Sequence, residues 1–541
     1  MNFTNLDKTG GYASLLKLAQ SKNVKNPGAS GFYLASLLNA ERVVRCSVPL
    51  AAGLRFNWAA RLADEAVLDA LQALADETEL IAKYRVLADG GIMNTTENRL
   101  VLHHLLRSPD GNSVTGNKVI REGKDIGEFY KKELDRFTVF AEKVRSGVIR
   151  PSADKTFIAV CQIGIGGSDL GPRAMALALQ NWAKAEGVKQ LRAEFISNVD
   201  PDDASRVCSD LPLAQTLFIL VSKSGTTLET LTNELFVKDK LKKAGLDPAK
   251  HMIAVTSETS PLANNSGYLD SFYIDDFIGG RYSSTSGVGG VILSLVFGGG
   301  VFRDFLAGAH EADKAALEKN IRKNASLLDA LLGVWERNFI GLPCTAVLPY
   351  SQGLSRFPAH LQQLDMESNG KRVNRDGVPV SYETGPAVFG EPGTNGQHSF
   401  FQLLHQGTDV IPLQFVGFTE SQLCDDIRVE DSESQVKLNA NLAAQIVAFA
   451  MGKKDALGAK DFPGNKPSSL IYGKRLTPQT LGALLAHFEN KVMFQGFVWN
   501  INSFDQEGVQ LGKVLAKKIL GAKDSGSGDA VLDAYAGLLG I

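Results

Sequence analysis

Six consecutive residues, Ser222-Lys223-Ser224-Gly225-Thr226-Thr227, bring four hydroxyls, one lysine and one glycine together. They lie between a buried-looking apolar run, Leu217–Val221, and a helical pattern that starts at Leu228. A strand that opens into a helix leaves free N–H groups and the positive end of the helix dipole at the junction, which favours an anion. Hydroxyls and backbone donors can satisfy the oxygens of a phosphate without a large fixed charge. An ordinary polar turn with an N-cap has the same composition, so local features leave both readings open. The segment is not a Walker A loop, because no lysine follows its glycine. A second glycine-rich loop, Gly164-Ile165-Gly166-Gly167-Ser168, follows Phe157-Ile158-Ala159-Val160. Its sixth position is Asp169 rather than glycine, so it is not a dinucleotide fingerprint.

Other groups could do acid–base work. Glu367 lies in Gln363–Lys371, which closes a helical pattern near Gly370. The loop Gly390–His398, dense in Gly and Pro, ends at a histidine, and functional side chains often sit on such fixed loops. Lys513 begins an apparent amphipathic helix, and Gly279-Gly280-Arg281 sets a guanidinium beside two small residues that permit close approach of a ligand. Each is ordinary by itself: Glu367 as a solvated acid, His398 as a capping or core histidine, Lys513 as a surface lysine.

The elements that must position these groups alternate. Phe157–Val160, Leu217–Val221 and Met252–Val255 read as buried strands, with helices from about Pro172 to Leu179 and from Leu228. Strand, polar loop and helix in repetition predict a parallel sheet with crossover helices. The alternation recurs at Thr345–Leu348, Leu361–Met366 and Val410–Val416. The fold class expected is therefore α/β, with two α/β units in one chain. The first hundred residues read as helical, with Val67, Leu71, Leu74, Thr78 and Ile81 at helical spacing and a stop at Gly90-Gly91. Thr95 or Thr96 is a candidate N-cap for a further helix through Leu100, Val101, Leu105 and Leu106. Ser525–Gly528 reads as a short linker before a terminal helix, Ala530–Leu539.

Composition narrows the class. The formal net charge is −2, from 57 basic and 59 acidic residues, which argues against a nucleic-acid or membrane-surface protein. The five cysteines are widely spaced with no CxxC pair, so neither a zinc site nor a disulfide framework is indicated, and reduced thiols in the cytosol are expected. The N-terminal residues carry no apolar run of signal-peptide type. Tyr282–Phe302 is uncharged and long enough to span a bilayer, but its Gly and Ser content predicts a buried core segment.

Taken together these segments resemble the glucose-6-phosphate isomerase (phosphoglucose isomerase) family. The motifs stand in the family's order: Asn94–Arg99, Gly164–Leu170, Ser222–Thr227, Gly279–Arg281, Gln363–Gly370, Gly390–His398 and Phe504–Lys513. The resemblance implies two sugar-isomerase domains of three-layer α/β/α architecture, at 136–290 and 291–505, with helical segments at 1–135 and 506–541. It implies an isomerase of glycolysis and gluconeogenesis in the cytoplasm, with no metal or organic cofactor, and a homodimer with shared active sites. By position, Ser222, Lys223, Ser224 and Thr227 would bind the phosphate, with Ser168 nearby and Gly280 beside the ligand. Glu367 would move the proton between C1 and C2, and Arg281 would stabilise the enediolate. His398 and Lys513 would open the sugar ring, His398 acting in the partner's site, while Gln363 and Gln506 line the pocket. The chain departs from the commonest family form at Ser224-Gly225, at Tyr282–Gly287 and at Glu507.

These residue types suit an aldose–ketose isomerisation. Ring opening needs a proton donor and an acceptor, which a histidine near neutrality can supply. A carboxylate made more basic by burial can take the proton next to the carbonyl. A fixed guanidinium can hold the enediolate charge, and the remote phosphate supplies binding energy and orientation. Three other readings are distinguishable. A sugar-phosphate sensor would add a DNA-binding helix-turn-helix or basic segment, and the sequence shows none. A dehydrogenase would bind a dinucleotide. An isomerase of broader range would accept mannose 6-phosphate as well.

Overall fold

The computed structural model describes residues 2–25, 32–522 and 526–541. Beside two two-stranded ribbons, the described residues form two larger open sheets, of five and six strands, each flanked by helices. In chain order the elements used below are β1 (Ser47–Pro49), β2 (Arg55–Asn57), β3 (Ala159–Ile163), α1 (Leu170–Ala185), β4 (Arg192–Ile196), β5 (Thr216–Val221), α2 (Leu228–Lys243), β6 (Met252–Thr256), β7 (Ser271–Tyr273), α3 (Gly287–Phe297), β8 (Cys344–Tyr350), α4 (Phe357–Gln362), β9 (Ala387–Phe389), β10 (Leu413–Phe418), β11 (Ser468–Gly473), α5 (Pro478–Val498), α6 (Gln510–Ala522) and α7 (Ala530–Leu538).

The first sheet is parallel throughout, in the order β4-β3-β5-β6-β7. Every residue of β3, β5 and β6 is buried, as expected of parallel strands covered on both faces by crossover helices. The strand order reverses between β3 and β5. At such a switch point the loops leaving two neighbouring strands diverge and open a crevice at their C-terminal ends. The loops in question are the glycine-rich loop after β3 and the hydroxyl-rich loop after β5.

The second sheet has a parallel part in the order β9-β8-β10-β11, which repeats the first sheet's reversal between β8 and β10. The N-terminal segment adds β2 and then β1, both antiparallel, at the β11 edge. Two strands from the first sixty residues were not legible in a segment read as helical, because three-residue strands carry almost no periodic signal. The strand expected at Val410–Val416 begins at Leu413 instead. Pro412 has no N–H to give the ladder, although its carbonyl accepts from Ala346 N at 2.9 Å.

Helices form at Glu65–Glu77 and Leu80–Ala88, as the spacing predicts, the first capped by Asp64. The helix expected from Thr95 or Thr96 does not form. Asn94 and Arg99 close an antiparallel bridge, Asn98 has a left-handed φ of 52°, and only Leu105–Arg107 makes a single 3₁₀ turn. Neither threonine caps anything: Thr96 Oγ1 donates to Asp505 Oδ2 at 2.6 Å and Thr95 Oγ1 to the Arg375 carbonyl at 3.3 Å. Long-range acceptors have outcompeted the local helix.

The uncharged run from Tyr282 becomes a 3₁₀ segment followed by α3, whose eleven residues are all buried. Among the described residues no helix is long and apolar enough to cross a membrane. Helix α5 is the core's central rod, buried at every position but Gln479. It carries Lys491, 3.3 Å from the buried Asp329, and Glu489, paired with the buried Arg107. The five cysteines are free thiols, three of them buried. Of the expected linker, Gly526–Gly528 is described and Ser525 lies outside the described residues; α7 follows where a terminal helix was expected.

Candidate active site

The two diverging loops of the first sheet build one wall of the site. After β3 the chain turns through Gly164–Gly167 into a 3₁₀ turn that ends at Ser168. Gly167 packs so closely on the next motif that a Cβ there would lie 2.1 Å from the Gly280 carbonyl oxygen and 2.8 Å from Arg281 N. Only glycine permits this contact, which sets the Gly279–Arg281 backbone against the β3 loop. After β5, Ser222 is buried and its Oγ accepts from Gly225 N at 3.2 Å. Gly225 takes a left-handed φ of 66°, with Ser260 Oγ close behind it. The loop thus curls tightly and delivers Thr227 to the N-cap of α2. The Thr227 hydroxyl makes no capping bond, so the first N–H groups of α2 remain unblocked by side chain. Lys223 Nζ donates to the Ile278 carbonyl at 3.3 Å and stands 3.5 Å from Asp276.

Together these loops line a cleft of about 370 Å³. Ser168, Ser222, Lys223, Ser224, Thr227, Gly280, Gln506 and Lys513 all face it. Eight of the twelve residues singled out in the sequence therefore converge on one cavity. Lys513 reaches it from α6, an exposed helix with no buried residue.

Beside it lies a second cleft of about 350 Å³, lined among others by Glu367, Met366, Lys371 and Asp505. Gln506 lines both, so the two clefts adjoin. Glu367 ends a π-helical turn, Gln363–Glu367, that continues α4. Such turns are uncommon and frequently mark functional sites. The Glu367 side chain is about one-quarter exposed, with 23% of it accessible. Gln363 belongs to neither cleft wall. Its amide nitrogen would be 3.3 Å from a Cβ placed on Gly166, so it backs onto the β3 loop.

Arg281 sits behind both clefts with its side chain wholly buried. Nε donates to Ser368 Oγ at 2.6 Å, and Nη2 donates to the carbonyls of Ser503 at 2.6 Å and Asp505 at 3.0 Å. Nη1 has no hydrogen-bond acceptor, and its nearest acid is Glu367 Oε1 at 3.8 Å. That is too long for a hydrogen bond. Glu367 Oε2 is likewise buried without a partner. Orphaned buried donors and acceptors are rare in folded proteins. Here one donor and one acceptor are left over at the same place. A substrate oxygen at Nη1 and a substrate proton at the carboxylate would satisfy both.

His398 is the predicted residue that this chain does not bring to the site. It ends a 3₁₀ turn in the loop after β9, exposed to solvent, and lines neither cleft, and its side chain makes no hydrogen bond to the described residues. The loop that carries it is firmly seated: Gly393 N donates to the Pro349 carbonyl at 3.0 Å and Gln397 Nε2 donates to Tyr350 Oη at 2.7 Å.

Several cleft residues were not named as site residues from the sequence. Glu97, Arg99 and Asp276 line the first cleft, with Arg99 3.3 Å from Glu97 and 3.6 Å from Asp276. Tyr282 lines it too, stacked on His103 with ring centroids 4.6 Å apart, and burial raises its hydroxyl pKa to about 12. The polar run Asn94–Arg99, with no apolar period, was the available signal for a loop there. Nothing local marked Asp276.

The sequence matches the family model of phosphoglucose isomerase over residues 57–536. It is 60% identical over 526 residues to a glucose-6-phosphate isomerase of Treponema denticola, covering 96% of this chain and 97% of the relative. A glucose-6-phosphate isomerase of Desulfotalea psychrophila is 47% identical, with 96% and 95% covered. The crystal structure of a glucose-6-phosphate isomerase from Chlamydia trachomatis superposes with a TM-score of 0.89 at 41% identity, over 99% of both chains. The chain belongs to the phosphoglucose isomerase family.

Proposed function

We infer that this chain interconverts glucose 6-phosphate and fructose 6-phosphate, by ring opening and proton transfer through a cis-enediolate. The observation that carries the chemistry is the juxtaposition of Glu367 with the unpartnered Nη1 of Arg281, next to a cleft rich in hydroxyls and lysine. In this reading the phosphate rests on Ser222, Lys223, Ser224 and Thr227 at the N-terminus of α2, with Ser168 beside it. The sugar then extends past Gly280 and Gln506 towards Glu367, with Gln363 supporting the wall. Glu367 takes the proton from one carbon and returns it to the other. Arg281 Nη1 holds the oxyanion that develops. Because the guanidinium is already oriented by buried acceptors, little reorganisation is needed, and such donors are often worth ~3–4 kcal/mol in the transition state. Lys513 and a histidine open the ring.

That histidine is His398 of a second copy. Its exposure, its lack of partners and its rigid loop support a role across a dimer interface, as the family resemblance implies. The two sheets then correspond to sugar-isomerase domains at 136–290 and 291–505, and the enzyme works in the cytoplasm.

The test is turnover. Purified protein with fructose 6-phosphate and EDTA should form glucose 6-phosphate, read by a coupled NADP assay. No turnover, with sugar-phosphate binding intact, would point to a sensor instead. Subunit sharing is tested by co-expressing His398→Ala and Glu367→Gln chains. Heterodimers should regain activity that neither homodimer has, and inactive heterodimers would exclude the arrangement across subunits.

A further inference from the structure

Arg281 has five N–H donors. Three are spent on fixed acceptors, and the two on Nη1, buried 3.8 Å from Glu367 Oε1, have no hydrogen-bond acceptor. The acceptor of Nε is Ser368 Oγ, the residue directly after Glu367. Ser368 is fully buried, and its Oγ is 2.8 Å from Tyr282 Oη. Tyr282 Oη is in turn 3.3 Å from the Ser503 carbonyl, which also accepts from Arg281 Nη2. One assignment of protons satisfies the set: Arg281 Nε–H donates to Ser368, Ser368 to Tyr282, and Tyr282 to the Ser503 carbonyl. The result is a closed ring of hydrogen bonds around one edge of the guanidinium. Ser503 is itself pinned, its Oγ donating to Asn369 Oδ1 at 2.7 Å.

We propose that Ser368 and Tyr282 are positioning residues for the isomerisation, holding Arg281 in the one orientation that points Nη1 at Glu367. Neither touches the reacting atoms through this ring. Ser368 couples the two catalytic groups because it follows Glu367 in the chain and grips Arg281 through Nε. Tyr282 closes the ring and keeps the serine hydroxyl turned so that its lone pair faces Nε. A planar fork that pivots about Nε swings Nη1 through an arc, and misplacement of about 1 Å can cost on the order of 10²-fold in rate. The inference rests on the enediolate role of Arg281.

The experiment compares wild type, Ser368→Ala, Tyr282→Phe, the double variant and Arg281→Lys in fructose 6-phosphate turnover. Thermal unfolding and inorganic phosphate affinity are measured alongside. Tyr282→Phe keeps the ring on His103 and removes one oxygen, so it tests the idea even where Ser368→Ala does not fold. Each single variant should lower kcat by about tenfold or more, with KM and phosphate affinity within about twofold, since the loss is confined to the transition state. The double variant should fall little below the worse single one, because both cut the same ring. Affinity for an aldonate phosphate, whose carboxylate imitates the enediolate, should drop in parallel with kcat. Unchanged kcat in folded Ser368→Ala or Tyr282→Phe overturns the inference. So does a joint decline of kcat, KM and phosphate affinity with melting temperature, which marks general loosening. Wild-type turnover that survives Arg281→Lys removes the underlying role of Arg281, and absent wild-type turnover removes the isomerase reading itself.

Discussion

Arg281 Nη1 and Glu367 Oε1 face each other across 3.8 Å, too far for a hydrogen bond, and Nη1 and the other carboxylate oxygen each lack a hydrogen-bond partner. The pair is held open from behind by the backbone carbonyls of Ser503 and Asp505. A gap of this kind lets a charged acid and base act on a third molecule instead of on each other. Arg281→Lys keeps the charge but loses the fork, and is expected to lower kcat about 10²-fold with a smaller effect on KM. Steady-state kinetics on folded variant check it.

Glu367→Gln should fold normally, since the side chain is partly exposed and carries no hydrogen bond on Oε2. It should bind fructose 6-phosphate yet no longer exchange the C2 hydrogen with solvent. Proton NMR in D₂O reads this directly, and continued exchange would take the base role from Glu367.

Lys223 is engaged by Asp276, which Arg99 also contacts. An anion entering the cleft must compete with that carboxylate. Surface ion pairs are worth ~0–1 kcal/mol, so Asp276→Asn should lower KM by about two- to fivefold at low salt, with the effect shrinking as salt screens the site. A raised KM would show that Asp276 helps to place the lysine.

Gly167→Ala would drive a methyl into the Gly280 carbonyl at 2.1 Å. Both contacts are backbone, so neither can swing aside. Overpacking of this type typically costs ~1–3 kcal/mol, and the displaced Gly280–Arg281 turn should lower kcat as well. Urea unfolding and kinetics test the two effects separately.

His104, His310 and His360 are each held neutral in the fold, with burial depressing their pKa values from 6.5 to about 4. A depressed histidine pKa means the unfolded chain binds the proton first. The stability linked to these groups is therefore fully present above pH 6.5 and falls as the pH drops towards 4. For His360, fully buried with neither ring nitrogen bonded, the loss between pH 7.5 and 5 is on the order of 2 kcal/mol. His360→Phe should flatten that dependence, measured as urea midpoints at the two pH values; an unaltered slope would mean that His360 does not titrate on unfolding.

Much of the scaffold was legible before the structure. Apolar runs bounded by glycine and hydroxyl residues marked β3, β5, β6 and β8, because a parallel strand buried on both faces must be continuously hydrophobic. The chemistry of the phosphate loop was visible in Ser222–Thr227 for a similar reason: the free N–H groups of a helix start are a local property of backbone. The motif order carried the family, and with it the expected residues, eight of which line one cleft. By contrast the helix expected after Thr96 failed, since Asp505 and Arg375 compete for hydroxyls that a local rule assigns to a cap. The N-terminal strands β1 and β2 were invisible for want of period.

What sequence determined by itself, then, was the set of elements and the chemical types at their ends, because helix, strand and turn preferences act over a few residues. Which groups face each other was decided only by tertiary packing. Arg281 meets Glu367, Ser368 and Ser503 because Gly167 admits the Gly280 backbone and because a π-turn rotates Glu367 into the neighbouring cleft. Lys223 finds Asp276 across the same cleft. The direction of a buried side chain depends on acceptors supplied by distant segments, and no local pattern encodes where those segments will lie.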